Sequence, residues 1–296
     1  IETVGRRAQA LRLLREADGG RPLILVASVR AALQPISPHA SAAHPIVVRS
    51  GEVPDIVILR GERSSGSVIL RGERSSESQD LTSVESDPRI VGGDHTCASG
   101  LEGLASALVQ FAYTRVDMVT RRGEFAVRGG ILDVFPPTAE QAVRIDFFGD
   151  EVDQIMRFAV SDQRSAGDPL PEVELWPARE LLLTDDVRAR AQDLLPRFPA
   201  LADLLEKIGQ GIPVEGMESL LPQLVPGLSP LTALLPDGAA VAVVSPERVA
   251  GRAVSLADTN REFLEAAWAA ATAGSDAPSP TDDRARSWST SAQPCA

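Results

Sequence analysis

Apolar residues recur with two different spacings in the first part of the chain. Residues 3–17 repeat their apolar positions every three or four residues. This predicts a helix whose buried face carries Val4, Ala8, Leu11 and Leu14. Residues 23–27 form an unbroken apolar run, which is typical of a strand buried on both faces of a parallel sheet. With another short helix predicted over 29–33, these elements indicate part of an α/β layer domain.

Period-two alternation replaces the helical spacing between residues 113 and 160. It predicts short strands separated by turn residues, at 115–119, 124–128, 131–135, 143–148 and 152–160. Strands of this length and spacing favour a compact antiparallel sheet. Gly129 and Gly130 would permit the turn after the second of these strands, and Gly149 the hairpin after the fourth.

The last third of the chain returns to mixed spacing. It predicts helices over 179–195 and 259–273, and its apolar run 239–244 predicts a second buried strand. From residue 274 onward the sequence is dominated by Ser, Pro, Asp and Arg, a composition that cannot build a core. We therefore expect a disordered tail over 274–296.

Residues 49–100 interrupt the pattern. The octapeptide Ile-Leu-Arg-Gly-Glu-Arg-Ser-Ser occurs at 58–65 and again at 69–76, which is too short a repeat for a solenoid. Ser, Asp, Glu and Gly dominate the residues that follow. The composition predicts a poorly ordered insertion.

Composition limits the class of protein. The formal net charge of −12, with Lys207 as the sole lysine, argues against a chain built mainly to hold nucleic-acid phosphates. Its two cysteines are far apart, which indicates a reducing compartment, and no apolar stretch is long enough for a membrane span. We expect a cytoplasmic protein. The sequence begins Ile-Glu-Thr without a signal pattern, so we expect it to be an interior piece of a longer chain.

Three candidate sites lack the further residues that their chemistry requires. Residues 89–93, Arg-Ile-Val-Gly-Gly, match the activation site of trypsin-like proteases, but no histidine lies at a usable distance. Asp94, His95 and Cys97 are possible metal ligands, yet one short loop does not close a tetrahedral site. No Gly-rich phosphate-binding loop precedes the sole lysine. We therefore expect no catalytic residue, no metal and no cofactor in this chain.

The stretch 113–165 carries a family resemblance. Its segments RGEFAVRGGILDVFPPT at 122–138, VRIDFFGDEVD at 143–153 and SDQRS at 161–165 resemble the UvrB-homology module of the bacterial transcription-repair coupling factors, the Mfd family. The resemblance covers roughly 1–38 and 110–270, and it is absent from about 46–100 and from the tail. UvrB itself is a near relative. It reads RGTF-x-VRGD in the equivalent strands and carries a phosphate-binding loop that this chain lacks.

The resemblance implies an architecture. The fold class is α/β, α+β overall, in which a degenerate helicase-like α/β domain carries an inserted small antiparallel β-rich UvrA-binding domain. The implied ranges are 1–48 for the remnant of the first α/β domain, 49–100 for the insertion, 101–172 for the UvrA-binding domain and 173–273 for a second α/β domain.

The same resemblance singles out a partner-binding site. Alternation along the second and fourth strands puts Arg128, Arg144 and Phe148 opposite the core residues, and two arginines beside an aromatic ring are typical of binding hot spots. The family's UvrA-contacting residues are two arginines and a phenylalanine that match these positions. The alternative is structural: Phe148 would fold under a neighbouring loop, and the arginines would pair with Asp146 or Asp150.

The expected function follows from the resemblance. A chain of this kind recruits the excision-repair protein UvrA to stalled RNA polymerase and performs no catalysis itself. The family's RNA polymerase-binding, DNA-binding and ATP- and Mg-dependent motor regions lie outside it. Two alternatives remain open at this point, a UvrB-type DNA-binding subunit and a nonfunctional truncated product. A steep salt dependence of DNA affinity would favour the former.

Overall fold

The computed structural model describes residues 1–17, 22–59 and 95–272. The chain divides into two compact units, one built from 1–25 and 35–237 and the other from 26–34 and 238–296. None of the helices in the described ranges has both the length and the apolar character that a membrane span requires.

In its described residues the first unit combines short helices with three sheets. Its helices are α1 Glu2–Arg15, α3 Pro38–Ala42, α4 Gly100–Gln110, α5 Asp185–Leu194, α6 Ala202–Gly209 and α7 Leu221–Leu224, with 3₁₀ turns at Leu195–Arg197, Pro199–Leu201, Met217–Leu220 and Leu231–Leu234. Its strands are β1 Ile46–Arg49, β2 Asp55–Leu59, β3 His95–Ser99, β4 Thr114–Arg115, β5 Glu124–Arg128, β6 Ile131–Val134, β7 Ala142–Phe148, β8 Glu151–Phe158 and β9 Glu172–Leu175. The expected mixed α/β class is confirmed.

The largest sheet has five strands in the order β4-β5-β6-β7-β8. From β5 to β8 all pairs are antiparallel, as the alternation predicts. The predicted strand 115–119 is wrong in extent and direction, because β4 is only Thr114–Arg115 and runs parallel to β5. After Val116, whose N–H donates to the Phe125 carbonyl, the chain leaves the ladder. It buries Val119 in a small cluster against Ala126 and Phe158 of the sheet.

The main core lies between this sheet and α4. Phe125, Leu132 and Ile145 from the strands pack with Leu104 and Leu108 of the helix, and all five side chains are buried. A second apolar cluster joins α5, α6 and α7. Sequence patterning did not predict α4, because its residues fall at the edge of the polar stretch assigned to the insertion.

Strands occupy both ends of the segment expected to be poorly ordered. β2 pairs antiparallel with β3, and Ile56 is buried in the main core. The expectation of disorder is therefore wrong for 55–59 and 95–99. The run Ile56-Val57-Ile58 in β2 consists of β-branched residues, which favour extended pairing. Residues 60–94, with most of the octapeptide repeat and the Arg-Ile-Val-Gly-Gly motif, lie outside the described residues, as does the expected tail 274–296. The reading of 49–100 as an insertion stays a prediction.

The two predicted buried strands are not strands. Residues 23–27 and 239–244 have no ladder partner among the described residues, and Ile24 and Val244 are 86% and 83% exposed. A doubly covered strand needs neighbours on both edges, which neither run has in the described part of the chain.

The second unit contains two helices in its described residues. α2 spans Val29–Leu33, as predicted, and it packs on α8, which spans Pro246–Thr272. α8 begins thirteen residues before the predicted helix, because Pro246 suits the first turn, where no backbone N–H is needed.

Candidate functional site

The five-stranded sheet has an outer face, defined as the face opposite α4. Along β7, Val143 and Ile145 point into the main core, whereas Arg144, Asp146 and Phe148 alternate onto the outer face. Strand register continues this face across the sheet. Arg144 lies opposite Asp133, Asp146 opposite Ile131, and Ile131 opposite Arg128. The three residues singled out in the sequence thus share one face.

Phe148 stands at the end of β7, beside the hairpin turn. Gly149 has a φ of +65°, the left-handed conformation that this turn needs and that glycine adopts without strain. The neighbouring Phe147 packs against the main core, but the Phe148 side chain is 83% exposed. The alternative in which Phe148 folds under a loop is therefore wrong.

Arg144 is held by contacts within the chain. Its Nε and Nη2 donate to the two carboxylate oxygens of Asp133 at 2.7 and 2.9 Å. Its Nη1 donates to the Gln163 carbonyl at 3.3 Å and the Ser165 hydroxyl at 3.4 Å, and its guanidinium lies 5.0 Å from the Phe158 ring centre. The hydrogen bonds that Arg144 donates to Asp133 raise the pKa of Arg144. With 20% of its side chain exposed, Arg144 keeps only a narrow edge for a partner.

Arg128 is the more accessible of the two arginines. Its side chain is 52% exposed, its Nε donates to the Asp117 carbonyl at 3.2 Å, and its Nη2 lies 4.0 Å from Asp133 Oδ2. An ion pair at that distance and exposure contributes little, about 0–1 kcal/mol. The alternative in which the arginines form ion pairs with Asp146 or Asp150 is wrong, since both lie on Asp133 instead.

Asp146 lies two residues after Arg144 on β7, on the same face. Its Oδ1 is buried and has no hydrogen-bond partner. Burial raises the pKa of Asp146, while the charge of Arg144 acts in the opposite direction. The outer face therefore alternates cations and carboxylates around an exposed ring and is not uniformly basic.

Two members of this face escaped the sequence reading. Asp133 sits between the core residues Leu132 and Val134, so its alternation already signals an outward carboxylate that must be paired. Gln163 has a φ of +62°, and its Nε2 donates to the carbonyls of Val119 and Val160. Its role depends on a loop conformation that no spacing encodes.

The candidate metal ligands gain no support. In the described ranges, no group of three or more His, Cys, Asp or Glu side chains is arranged to hold a metal. His95 and Cys97 lie on β3, and Asp94 lies outside those ranges.

Comparison with known proteins addresses the identity of this sheet. A family model described as the UvrB interaction domain matches residues 98–181, which include α4, the five-stranded sheet and β9. The resemblance to the transcription-repair coupling factors is confirmed. The chain is 40% identical over 292 residues to the transcription-repair-coupling factor of Mycobacterium bovis, an alignment that covers 93% of this chain.

Other relatives match over the central part. The transcription-repair-coupling factors of Myxococcus xanthus and Bacillus subtilis are 42% and 44% identical over 130 and 105 residues, which is 41% and 36% of this chain. These alignments cover 11% and 9% of the two relatives. The chain spans about a fifth of the Mycobacterium bovis protein, with 20% of that protein covered.

Proposed function

We propose that this chain binds UvrA through the outer face of its UvrB interaction domain and, as part of a coupling factor, recruits UvrA to stalled RNA polymerase. The observation that carries the proposal is the exposed Phe148 ring on the same face as the half-exposed Arg128. An exposed aromatic ring beside an accessible arginine is the combination of side chains that binding hot spots favour.

The contacts within the chain imply a different role in binding for each of the three residues. Phe148 would fill an apolar depression of UvrA, where it loses the most water-exposed area. Arg128 would meet a carboxylate or a carbonyl there, since its Nη1 has no partner among the described residues. Arg144, whose fork already holds Asp133, would offer only its exposed edge. The partner surface should therefore combine an apolar pocket with one acidic or polar group.

The mixed charge of the face also favours a protein over a nucleic acid. Asp146, Glu151 and Asp133 stand among or opposite the proposed contacts, and carboxylates repel phosphates. Strong DNA binding with a steep salt dependence would be the mark of the UvrB-type alternative. The proposal gives this chain no catalytic step. ATP hydrolysis, DNA translocation and RNA polymerase binding would belong to other regions of a coupling factor.

The proposal is tested by titrating purified UvrA against the chain and its Arg128→Ala variant. Arg157→Ala is the matched control, because Arg157 is exposed on β8 of the same sheet but alternates to the opposite face. We expect Arg128→Ala to weaken binding by about tenfold or more and Arg157→Ala to bind like the parent. Equal affinities for all three proteins, each folded by circular dichroism, would contradict the proposed face.

A further inference from the structure

A buried carboxylate lies at the centre of the outer face. Asp133 is on β6, between Ala126 of β5 and Arg144 of β7 in the strand register, and its side chain is only 3% exposed. A charged group this well covered is unfavourable unless it is paired. Both carboxylate oxygens are used on Arg144, and Oδ2 also faces Arg128.

Contacts lead from Asp133 to a loop beside the sheet. Arg144, which is bound to Asp133, also donates a hydrogen bond through its Nη1 to the Gln163 carbonyl. The side-chain amide of Gln163 then donates to the carbonyl of Val119 at 3.1 Å. Val119 is fully buried, so the segment 116–120 is fixed at this point.

The segment 116–120 also contacts Arg128. The carbonyl of Asp117, two residues before Val119, accepts the hydrogen bond from Arg128 Nε. Arg128 is thus restrained from two sides, by Asp117 on the loop and by the carboxylate of Asp133 across the sheet. Neither contact is strong alone, but together they limit the directions in which its Nη groups can point.

We infer that Asp133 is a positioning residue, which fixes Arg144 and, through Gln163 and the 116–120 segment, sets the direction in which Arg128 meets its protein partner. The inference rests on the proposed binding of UvrA. An arginine already held in its binding rotamer loses less side-chain freedom on association, and this advantage appears as affinity. Asp133 itself need not touch UvrA.

The test measures UvrA affinity for the full chain carrying Asp133→Asn. Asparagine keeps the shape but loses the charge and one of the two acceptors for Arg144. Asp168→Asn, in the exposed segment that follows residue 165, makes the same charge change at a residue that takes no part in these contacts. We expect Asp133→Asn to weaken binding about tenfold and Asp168→Asn to leave it unchanged.

Gln163→Ala interrupts the same chain of contacts without removing a charge. It breaks the contact to Val119 while leaving the Asp133–Arg144 pair in place. We expect a loss of about threefold to tenfold in affinity. If Asp133→Asn does not fold, the UvrA affinity of Gln163→Ala tests the inference by itself. Thermal unfolding is run in parallel on each protein.

A double-mutant cycle separates positioning from a general structural effect. If Asp133 and Gln163 act through Arg128, neither substitution should weaken binding much further once Arg128→Ala is present. Losses that multiply with that of Arg128→Ala would overturn the inference, as would parental affinity for both Asp133→Asn and Gln163→Ala. In either case the docking proposal would still stand if Arg128→Ala and Phe148→Ala lose affinity. If those two bind like the parent, the docking proposal itself fails.

Discussion

Adjacent phenylalanines on β7 should separate binding from folding. Phe148→Ala removes the ring that is 83% exposed in the unbound chain. A phenylalanine side chain covers about 150–250 Å². Covering such a side chain by a partner would contribute about 1.5–3 kcal/mol. Truncation at a hot spot typically costs about 2 kcal/mol or more. We therefore expect Phe148→Ala to weaken UvrA binding at least about thirtyfold and to leave the melting temperature nearly unchanged.

Phe147→Ala is the control and should give the reverse result. Its ring packs on the main core but is only partly buried, so the cost should be about half of the 3–5 kcal/mol of a fully buried ring, near 2 kcal/mol. The assay combines calorimetric UvrA titration with thermal unfolding on both variants. A folded Phe148→Ala protein with parental affinity would refute the assignment of this ring to the interface. A large drop in its melting temperature would show that the ring is structural.

Two further predictions concern stability. A Cβ on Gly130 would lie 2.9 Å from the Phe147 carbonyl oxygen, so Gly130→Ala should cost about 1–3 kcal/mol in urea unfolding. Gly251→Ala, in open space on α8, should be neutral or slightly stabilising, and equal effects would contradict the steric argument. Burial lowers the pKa of His39, against the opposite pull of Asp186. As pH falls below about 6.5 the unfolded state binds the proton first, so stability should fall from there toward the lower folded pKa. His39→Gln should reduce this loss of stability at low pH. A variant whose stability depends on pH as the parent's does would contradict the prediction.

The antiparallel strands were the most predictable part of the fold. β5 was predicted to the residue, and the ends of β6, β7 and β8 were within a few residues. One face of each strand is buried against α4, and this forces the strict alternation that the sequence shows. For the same reason the placement of Arg128, Arg144 and Phe148 on one face could be predicted, although their binding of UvrA stays a prediction.

Apolar runs without alternation were less informative. Residues 23–27 and 239–244 have the composition of buried strands, but composition does not supply the neighbouring strands that burial requires. The segment 115–119 was misread for a related reason. Its alternation fits a strand, yet Val119 is buried by packing against side chains of the sheet and not by pairing in a ladder.

The pairing of charges was beyond sequence reasoning, and it changes how the binding face should work. The sequence suggested two arginines ready to grip acidic groups, with Asp146 or Asp150 as internal competitors. The register instead places Asp133 directly across from Arg144, where its two oxygens accept from Nε and Nη2 of the guanidinium. On this face the guanidinium of Arg144 is largely occupied by Asp133, and the same carboxylate helps to hold Arg128 in place. The affinity of this face should therefore depend less on total positive charge than on the geometry of Arg128 and Phe148. In an acidic chain with a net charge of −12, we expect such a face to favour a protein partner over nucleic acid.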